Sequence, residues 1–302
     1  MQPDPDGPRL HPCPVVGQAR MRLPTLFLPL LAILALCGCG RGDIRVMTFN
    51  VRYDNSDDAE NGYGWYDRRE LVEHMLACQD PDIAGFQEAL SNQVGDLGAM
   101  LPGHDHVGVG REDGVSKGEY APIFWRRDRF ELVSARTWWL APDHDRPNKG
   151  WDAALERIAT QVVLRETDGE RKLEVWNTHF DYDGAVARRE SARLILNQVS
   201  RSDRSWPCIV MGDFNARPES RPLQILQENR LLTEAGRLRS PSGPVGTTCD
   251  FFTEPYGTSS WPLDHILVSK ELSVQALRHV RAERDGRCAS DHRPVCADLD
   301  WD

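Results

Sequence analysis

The sequence contains no run of lysines and arginines, no Cys-x-x-Cys pair and no internal repeat, and from Asp43 onward no linker or low-complexity tract. Each absence excludes something. With 46 acidic residues against 36 lysines and arginines the formal net charge is −10, so the chain is not built to hold a nucleic acid through its bulk field. Local contact with phosphate, through a metal or a few arginines, stays open. Without Cys-x-x-Cys spacing a structural zinc clasp has no support. Without a linker, residues 40–302 read as one domain, and a chain of 302 residues buries a core that needs no staples. Hydrophobic residues at 40 % and charged residues at 27 % are ordinary for a globular protein, which argues against disorder.

A long hydrophobic run is missing too. The run "LPTLFLPLLAILAL" has about fourteen residues, short of the roughly 20 that cross a bilayer. Preceded by Arg20 and Arg22, it has the length of a signal-peptide core. It ends in Leu36-Cys37-Gly38-Cys39, which resembles a bacterial lipoprotein box with Cys39 as the lipid-modified residue. Cys37 departs from that pattern, standing where a small residue such as Ala or Ser is usual. An uncleaved membrane anchor is the alternative. Residues 1–20 are Pro-rich and aperiodic and read as a mis-assigned start, Met21 being the better beginning. Residues 1–39 are therefore expected to be a signal and lipobox segment. The protein is expected to be exported to the periplasm or cell envelope and anchored to the membrane at Cys39. Residues 1–38 carry Arg9, Arg20 and Arg22 against Asp4 and Asp6, so removing them takes the net charge from −10 to −11.

Export implies an oxidising compartment. Beyond Cys39 remain Cys78, Cys208, Cys249, Cys288 and Cys296, an odd number that leaves at least one unpaired. Cys208 sits within an apolar run and reads as a small core residue. Cys288 and Cys296 flank "ASDHRPV" and are candidates to pair.

Strand-like runs recur through the chain, at 44–51, 82–87, 121–125, 131–140, 158–164, 173–180, 208–211, 263–268, 274–280 and 294–299. Helical patterns are fewer. One is 65–78, with Leu71, Val72, Met75 and Leu76 apolar; the other is 186–199, with Ala187, Leu194, Ile195 and Leu196 near one face. Short turns at 126–129 and 166–171 point to antiparallel or mixed sheets with helices outside.

The strands end in residues that a core does not need. "IRVMTFN" ends in Asn50, "DIAGFQE" in Glu88, "LEVWNTHFD" in His179 and Asp181, and "IVMGDFN" in Asp213 and Asn215. "PLDHILV" carries Asp264, and "ASDHRPV" carries Asp291 and His292. Any one of them suits a turn, but six segments doing the same suit phosphoester hydrolysis. A phosphoryl centre is anionic, so attack on it needs charge neutralised on its oxygens and on the leaving group. Glu88 and Asn50 offer hard oxygens for Mg²⁺ or Mn²⁺. Asp213 is placed to take a proton from water, and Asn215 is expected on the same face of an extended chain, holding that carboxylate or a phosphate oxygen. His179 and His292 can donate to the transition state, an acid beside one of them fixing its tautomer.

These segments resemble the endonuclease/exonuclease/phosphatase superfamily. The matching stretches are "MTFNVR", "GFQEA", "NTHFD", "MGDFNARP", "PLDHILV" and "SDHRPV", in the family's order across residues 43–302. The resemblance implies an α/β fold, a four-layer α/β/β/α sandwich of two packed mixed sheets with outer helices and the site at one end. It implies Glu88 as the main metal ligand with Asn50 beside it, and His179 as a contact to the scissile phosphate. Asp213 would be the base, supported by Asn215. His292 would stabilise the pentacovalent state with Asp264 holding its imidazole, and Asp291 would be a second metal-side or leaving-group carboxylate. Abasic-site nucleases carry an acid two residues after the first Asn; here Arg52 stands there, which fits a substrate with extra anionic groups. "GEYAPIFWRRDRFEL" and "NTHFDYDGAVARRESARLI" resemble a subgroup of secreted bacterial metal-dependent hydrolases, nearer in motif style to the deadenylase and nocturnin branch than to deoxyribonuclease I.

Further candidates for substrate contact are Glu119, Tyr120, Arg157 and Arg188. Arg157 and Lys149 read as solvated loop cations more readily than as phosphate ligands. Of Arg188 and Arg189, one is placed to reach back to the site. Trp65, Trp138, Trp139 and Trp151 are candidates for a stacking surface, though aromatics at strand spacing are mostly core. His104, His106 and His144 read as loop residues. The expected protein is a monomeric, Mg²⁺-dependent hydrolase (Mn²⁺ being the other candidate) of a small phosphodiester or phosphomonoester, a nucleotide or a lipid head group. A periplasmic nuclease is the alternative within that class, and a non-catalytic surface lipoprotein the alternative outside it.

Overall fold

The computed structural model describes residues 43–203, 205–244, 246–247 and 262–302. The signal and lipobox segment 1–39, with Cys39, and the cysteine at 249 lie outside the described residues. Strand β1 (Ile44–Asn50) is followed by helices α1 (Ser56–Glu60) and α2 (Trp65–Gln79) and by β2 (Ile83–Gln87). Helix α3 (Ser91–Met100) leads into β3 (His104–Val107) and β4 (Ile123–Arg126). Then come β5 (Phe130–Trp139), β6 (Ile158–Glu166), β7 (Lys172–His179), helix α4 (Ala185–Arg201) and β8 (Cys208–Asp213). Short elements α5 (Arg221–Leu226), β9 (Thr233–Glu234) and α6 (Ala235–Leu238) precede β10 (Asp264–Val268) and β11 (Leu272–His279). A small hairpin, β12 (Glu283–Arg284) with β13 (Arg287–Cys288), and strand β14 (Val295–Trp301) follow.

Two six-stranded sheets form, in the orders β11-β14-β1-β2-β4-β3 and β5-β6-β7-β8-β10-β9. Each contains one parallel pair, β1 with β2 and β7 with β8. A parallel pair needs a crossover, and α1 with α2 supplies the first and α4 the second. Both sheets are therefore mixed, as expected.

The layers follow from the alternation of side chains along a strand. In β1, Ile44 and Val46 face the second sheet, where they share a core with Val162, Val175, Ile209, Met211 and Ile266. Met47 and Phe49 face outward onto Trp65, Val72 and Leu76 of α2 and Leu97 of α3. In the second sheet Trp176 and Val210 turn outward onto Ala192 and Ile195 of α4 and Leu223 and Leu226 of α5. Strands buried on both faces read as unbroken apolar runs, which explains "IVM" in β8. The result is the four-layer sandwich. Each large aliphatic side chain buried here contributes about 1.5–3 kcal/mol.

Close approach of the sheets depends on Gly85. A Cβ there would lie 2.7 Å from the Asn177 side chain and from Met211 Cε. Asn177 uses that space to donate to the backbone oxygens of Phe86 (2.7 Å) and Pro122 (2.9 Å) in the opposite sheet. Gln87 closes the bridge by donating to Asn177 Oδ1 (2.5 Å) and Thr48 Oγ1 (3.0 Å).

Several expectations need correction. The turn at 166–171 joins the antiparallel pair β6–β7, but the turn at 126–129 is no hairpin: it carries the chain from β4 in one sheet to β5 in the other. Helices α1, α3, α5 and α6 were not expected: all are short, α3 carries two glycines and α5 opens on Pro222 in its first turn. His104 and His106 lie on β3, paired with Arg126 and Phe124, rather than in a loop. Cys208 is a buried free thiol, as expected of a core residue; Cys296 is one too, so no disulfide joins Cys288 to Cys296. Among the described residues no helix is long and apolar enough to cross a membrane.

Candidate active site

Register brings the polar strand ends together. Parallel pairing sets Asn50 beside Gln87, one residue before Glu88, and sets His179 beside Asp213. Antiparallel pairing with β10 sets Asp264 on the other side of Asp213. Loop residues 290–292, just before β14, add Asp291 and His292, pinned where Ser290 Oγ donates to the Asn50 carbonyl at 2.7 Å. Six segments thus meet at one end of the sandwich.

Asp213 Oδ2 is the focus. It accepts from Asn50 Nδ2 at 3.0 Å and lies 3.6 Å from His179 Nε2 and 3.8 Å from His292 Nε2. Its other oxygen accepts the Asn215 backbone N–H at 2.9 Å. Burial, and then the Asp264 charge, push the Asp213 carboxyl above the usual range, against the pull of His292 and His179. Gly212 precedes it with φ 149°, and a Cβ there would sit 2.0 Å from the Thr178 carbonyl oxygen; only glycine lets the strand end deliver this acid.

The two imidazoles differ in kind. His292 Nδ1 meets Asp264 Oδ2 at 2.8 Å. Burial opposes its charge, but Asp264 and Asp213 outweigh it and hold the pKa well above the ordinary value. His179 is pushed down to about 3 by burial and by the Arg157 guanidinium, whose Nη1 lies 3.0 Å from its Nδ1. One imidazole is thus charged and the other neutral at pH 7.

Glu88 Oε1 accepts from Asn50 Nδ2 at 2.9 Å, and Oε2 accepts the Tyr53 N–H at 3.2 Å. Non-glycine residues with positive φ gather at the site: Arg52 (57°), Glu88 (63°) and Asn215 (45°). Such backbone costs about 1–3 kcal/mol each and persists where surrounding structure imposes it.

The donor chemistry fits a hard divalent cation. Glu88, His179 and Asp213 offer ligand atoms within 4.8 Å of one another, as do Asp213, Asp264 and His292. Asp291 is pushed up by burial, with the Glu88 charge adding to it, and Asp264 Oδ1 is buried without a hydrogen-bond partner. Two acids raised in a cluster of four is the signature of negative charge awaiting a cation. Asn50 presents its amide nitrogen to these acids while its oxygen accepts the Arg52 N–H at 2.9 Å. Presenting that oxygen to a metal requires the amide to turn over.

Other sequence candidates fall differently. Asn215 does not continue an extended chain: Phe214 is fully buried and the left-handed turn after it aims the amide at His179 Nε2 (3.3 Å) and the Phe180 oxygen (3.0 Å). Arg52 is drawn into ion pairs with Asp58 (2.9 Å) and Asp291 (3.6 Å). Arg157 is no solvated loop cation; it is buried, 3.2 Å from Asp181 Oδ2. Lys149 is exposed and donates to the Ala154 oxygen at 2.9 Å. Glu119 lies 3.5 Å from His179 Nδ1 and 2.6 Å from Arg111. Tyr120 is buried, its hydroxyl donating to the Val115 oxygen at 3.0 Å. Arg188 donates to the Asp181 carbonyl at 2.7 Å. Trp65, Trp138 and Trp139 are buried core, whereas Trp151 and Tyr182 are exposed.

Sequence reasoning passed over Arg68 and Arg111. Arg68, on α2, donates to the carbonyls of Val51 (2.5 Å), Arg52 (2.7 Å) and Ala289 (2.9 Å), tying together two loops of the site. Burial lowers its pKa to about 10. Neither arginine sits in a recognisable motif. Gln87 and Asn177 lay inside "GFQEA" and "NTHFD" and were legible there as polar residues at apolar positions.

Two packed mixed sheets with acids, amides and imidazoles at one rim define a hydrolase of phosphoester bonds. The chain belongs to the endonuclease/exonuclease/phosphatase family, whose family model matches residues 47–292. It is similar to an endonuclease/exonuclease/phosphatase from Bacteroides vulgatus, at 35 % identity and TM-score 0.80, covering 86 % of this chain and 99 % of that one. It is also similar to a mannosyl-6-phosphatase of Bacteroides thetaiotaomicron, at 32 % identity and TM-score 0.79, covering 85 % and 99 %. A probable RNA exonuclease of Saccharomyces cerevisiae is 24 % identical over 213 residues, 63 % of this chain and 41 % of that protein. The chain thus spans less than half the length of this curated relative.

Proposed function

We propose that the protein is an exported, lipid-anchored, Mg²⁺-dependent hydrolase of small phosphoesters, in which Asp213 activates the attacking water. The observation that carries this is the position of Asp213 Oδ2 between Asn50 and two imidazole Nε2 atoms, one neutral and one charged. Buried and with a raised pKa, the carboxylate is a stronger base toward water than an exposed one. His292, charged and held by Asp264, donates from Nε2 to a phosphoryl oxygen as negative charge grows there. His179, neutral and held at Nδ1 by Arg157, keeps Nε2–H for the same group and adds no charge. Glu88, with Asp291 and Asn50 beside it, would hold the cation. A divalent ion bound there neutralises phosphoryl charge and polarises the ester.

A small monoester, such as a sugar phosphate, is favoured over a polymer. The chain is acidic, and a relative covered over nearly its full length is a mannosyl-6-phosphatase. The nuclease reading draws on the yeast exonuclease likeness. Export and anchoring at Cys39 rest on the signal core and lipobox pattern. A panel of sugar phosphates, nucleotides, bis-p-nitrophenyl phosphate, phospholipids and single-stranded DNA, assayed with Mg²⁺ and with chelator, tests this reading. Metal-dependent turnover ranked highest on sugar phosphates is expected. Preference for the polymer, steeply weakened by salt, would establish the nuclease instead; tight metal-independent binding with no turnover would establish a binding protein.

A further inference from the structure

Beside the candidate site lies a cavity of about 510 Å³ that the reaction above does not use. Asn215 forms one wall, and Arg188, Arg189, Arg217 and Arg221 form much of the rest, with Glu219 the one acid. Four arginines lining one opening stand out on a chain of net charge −10. They come from separate parts of the chain, the start of α4 and the β8–α5 connection with the first residue of α5, so the periodicity of one helix does not account for the grouping.

The partners of Arg188, Arg189 and Arg221 leave the cavity positive. Arg188 is held by the Asp181 carbonyl at 2.7 Å. Arg221 meets Glu228 at 2.7 Å in a pair whose side chains are 51 % and 45 % exposed, a contact worth little in water and readily exchanged for a ligand anion. Arg189 acts on Asp152, but that carboxylate is occupied by the N–H groups of Val186 (3.0 Å) and Ala187 (2.6 Å). Guanidinium groups match phosphate by paired N–H donors. The wall shared with the centre is Asn215, whose amide nitrogen donates to the Phe180 oxygen at 3.0 Å and lies 3.3 Å from His179 Nε2. A group seated in the cavity is therefore next to a phosphoryl group at the histidines.

We propose that this cavity binds a second phosphate, carried on the same small organic ester as the phosphoryl group that is cleaved. The substrate class is thus a bisphosphorylated small molecule, an assignment that rests on the phosphoester-hydrolase reading. The volume exceeds that of a lone phosphate and accommodates part of the carbon skeleton that carries it.

Calorimetric titration of the full chain, metal-stripped and dialysed free of chelator so that nothing is turned over, tests the cavity apart from catalysis. Fructose 6-phosphate and fructose 1,6-bisphosphate are the paired probes. Wild type should bind the bisphosphate at least about tenfold more tightly, the equivalent of one good charged contact. Arg217→Gln/Arg221→Gln, both on the exposed rim, should erase most of that preference, and Arg189→Gln on α4 should weaken it independently. Mg²⁺-dependent turnover of p-nitrophenyl phosphate should be unchanged in these variants. Equal affinity of wild type for the two sugars, or a preference that survives all three substitutions, would overturn the proposal. Tighter binding of a short oligonucleotide, lost in the same variants, would overturn it in favour of a polymer backbone. Absence of p-nitrophenyl phosphate turnover by wild type would instead overturn the hydrolase reading and with it the substrate class, while the titration still reports whether the anion site exists.

Discussion

Asp264 and Arg157 make two histidines into different reagents. Asp264 contacts His292 at 2.8 Å and raises its pKa, whereas burial and Arg157 push His179 down to about 3. The pH profile follows. As pH falls through the raised pKa of Asp213 the base takes up a proton, so kcat/KM should have an acid limb above the ordinary carboxylate range. As pH rises, His292 loses its proton and an alkaline limb appears. Asp264→Asn removes the anion that keeps His292 charged, lowers that pKa and should move the alkaline limb to lower pH. His179→Gln should reduce kcat about 10²-fold without moving either limb, because His179 does not titrate between pH 5 and 9. A limb displaced by His179→Gln would contradict the assignment. At this scale the sequence was most legible: Asn50, Glu88, His179, Asp213, Asp264 and His292 stood out as polar residues closing apolar runs. The orientation of Asn215 and the partners of Arg52 were not, because they depend on left-handed backbone that no local pattern announces.

Helix α2 and the strand ends form the next scale. Arg68 binds carbonyls on both site loops, so the helix is a brace for the loops that carry Arg52 and Asp291. Arg68→Met leaves several buried carbonyls unpaired and should destabilise the fold by about 3 kcal/mol, read as a lower urea midpoint, with loss of activity. An unchanged midpoint would show that water replaces the guanidinium. Gly85→Ala tests the inter-sheet contact: a methyl 2.7 Å from Asn177 and Met211 must force them apart. Overpacking of this kind costs about 1–3 kcal/mol, and Asn177→Ala should relieve part of it in the double variant. Most strands were legible from apolar runs. Helix α3 was not, since "SNQVGDLGAM" breaks its apolar stripe with two glycines. The crossing between β4 and β5 was hidden because a short turn between two strands looks the same whether they pair or part.

The folded domain is closed by long-range ion pairs as well as by its apolar cores. Asp298 on β14 takes Arg45 of β1 at 2.7 Å and Arg278 of β11 at 2.8 Å, across the edge of the first sheet. Burial alone would raise its pKa, but the two arginines outweigh it and hold the carboxyl below the usual range. The folded pKa lies below the unfolded one, so this stabilisation is present above about pH 4 and is lost as pH falls through the folded pKa. Asp298→Asn should therefore lower stability by about 3 kcal/mol at pH 7, and the difference from wild type should shrink as both are acidified through the folded pKa of Asp298. A difference that stayed constant with pH would show that packing, not charge, is responsible. The order of the six motifs along the chain made the four-layer architecture legible before any contact was known. The arginine-lined cavity was not legible, because its walls come from α4 and from the loop after β8 with the start of α5, and only folding sets them side by side.

The account stands most directly on Asp213 as the base. The decisive measurement is kcat of Asp213→Asn against wild type, with saturating Mg²⁺ and the best sugar phosphate, after circular dichroism has shown the same fold. A fall of about 10³-fold or more is predicted. Turnover within tenfold of wild type would contradict the account and place the base elsewhere.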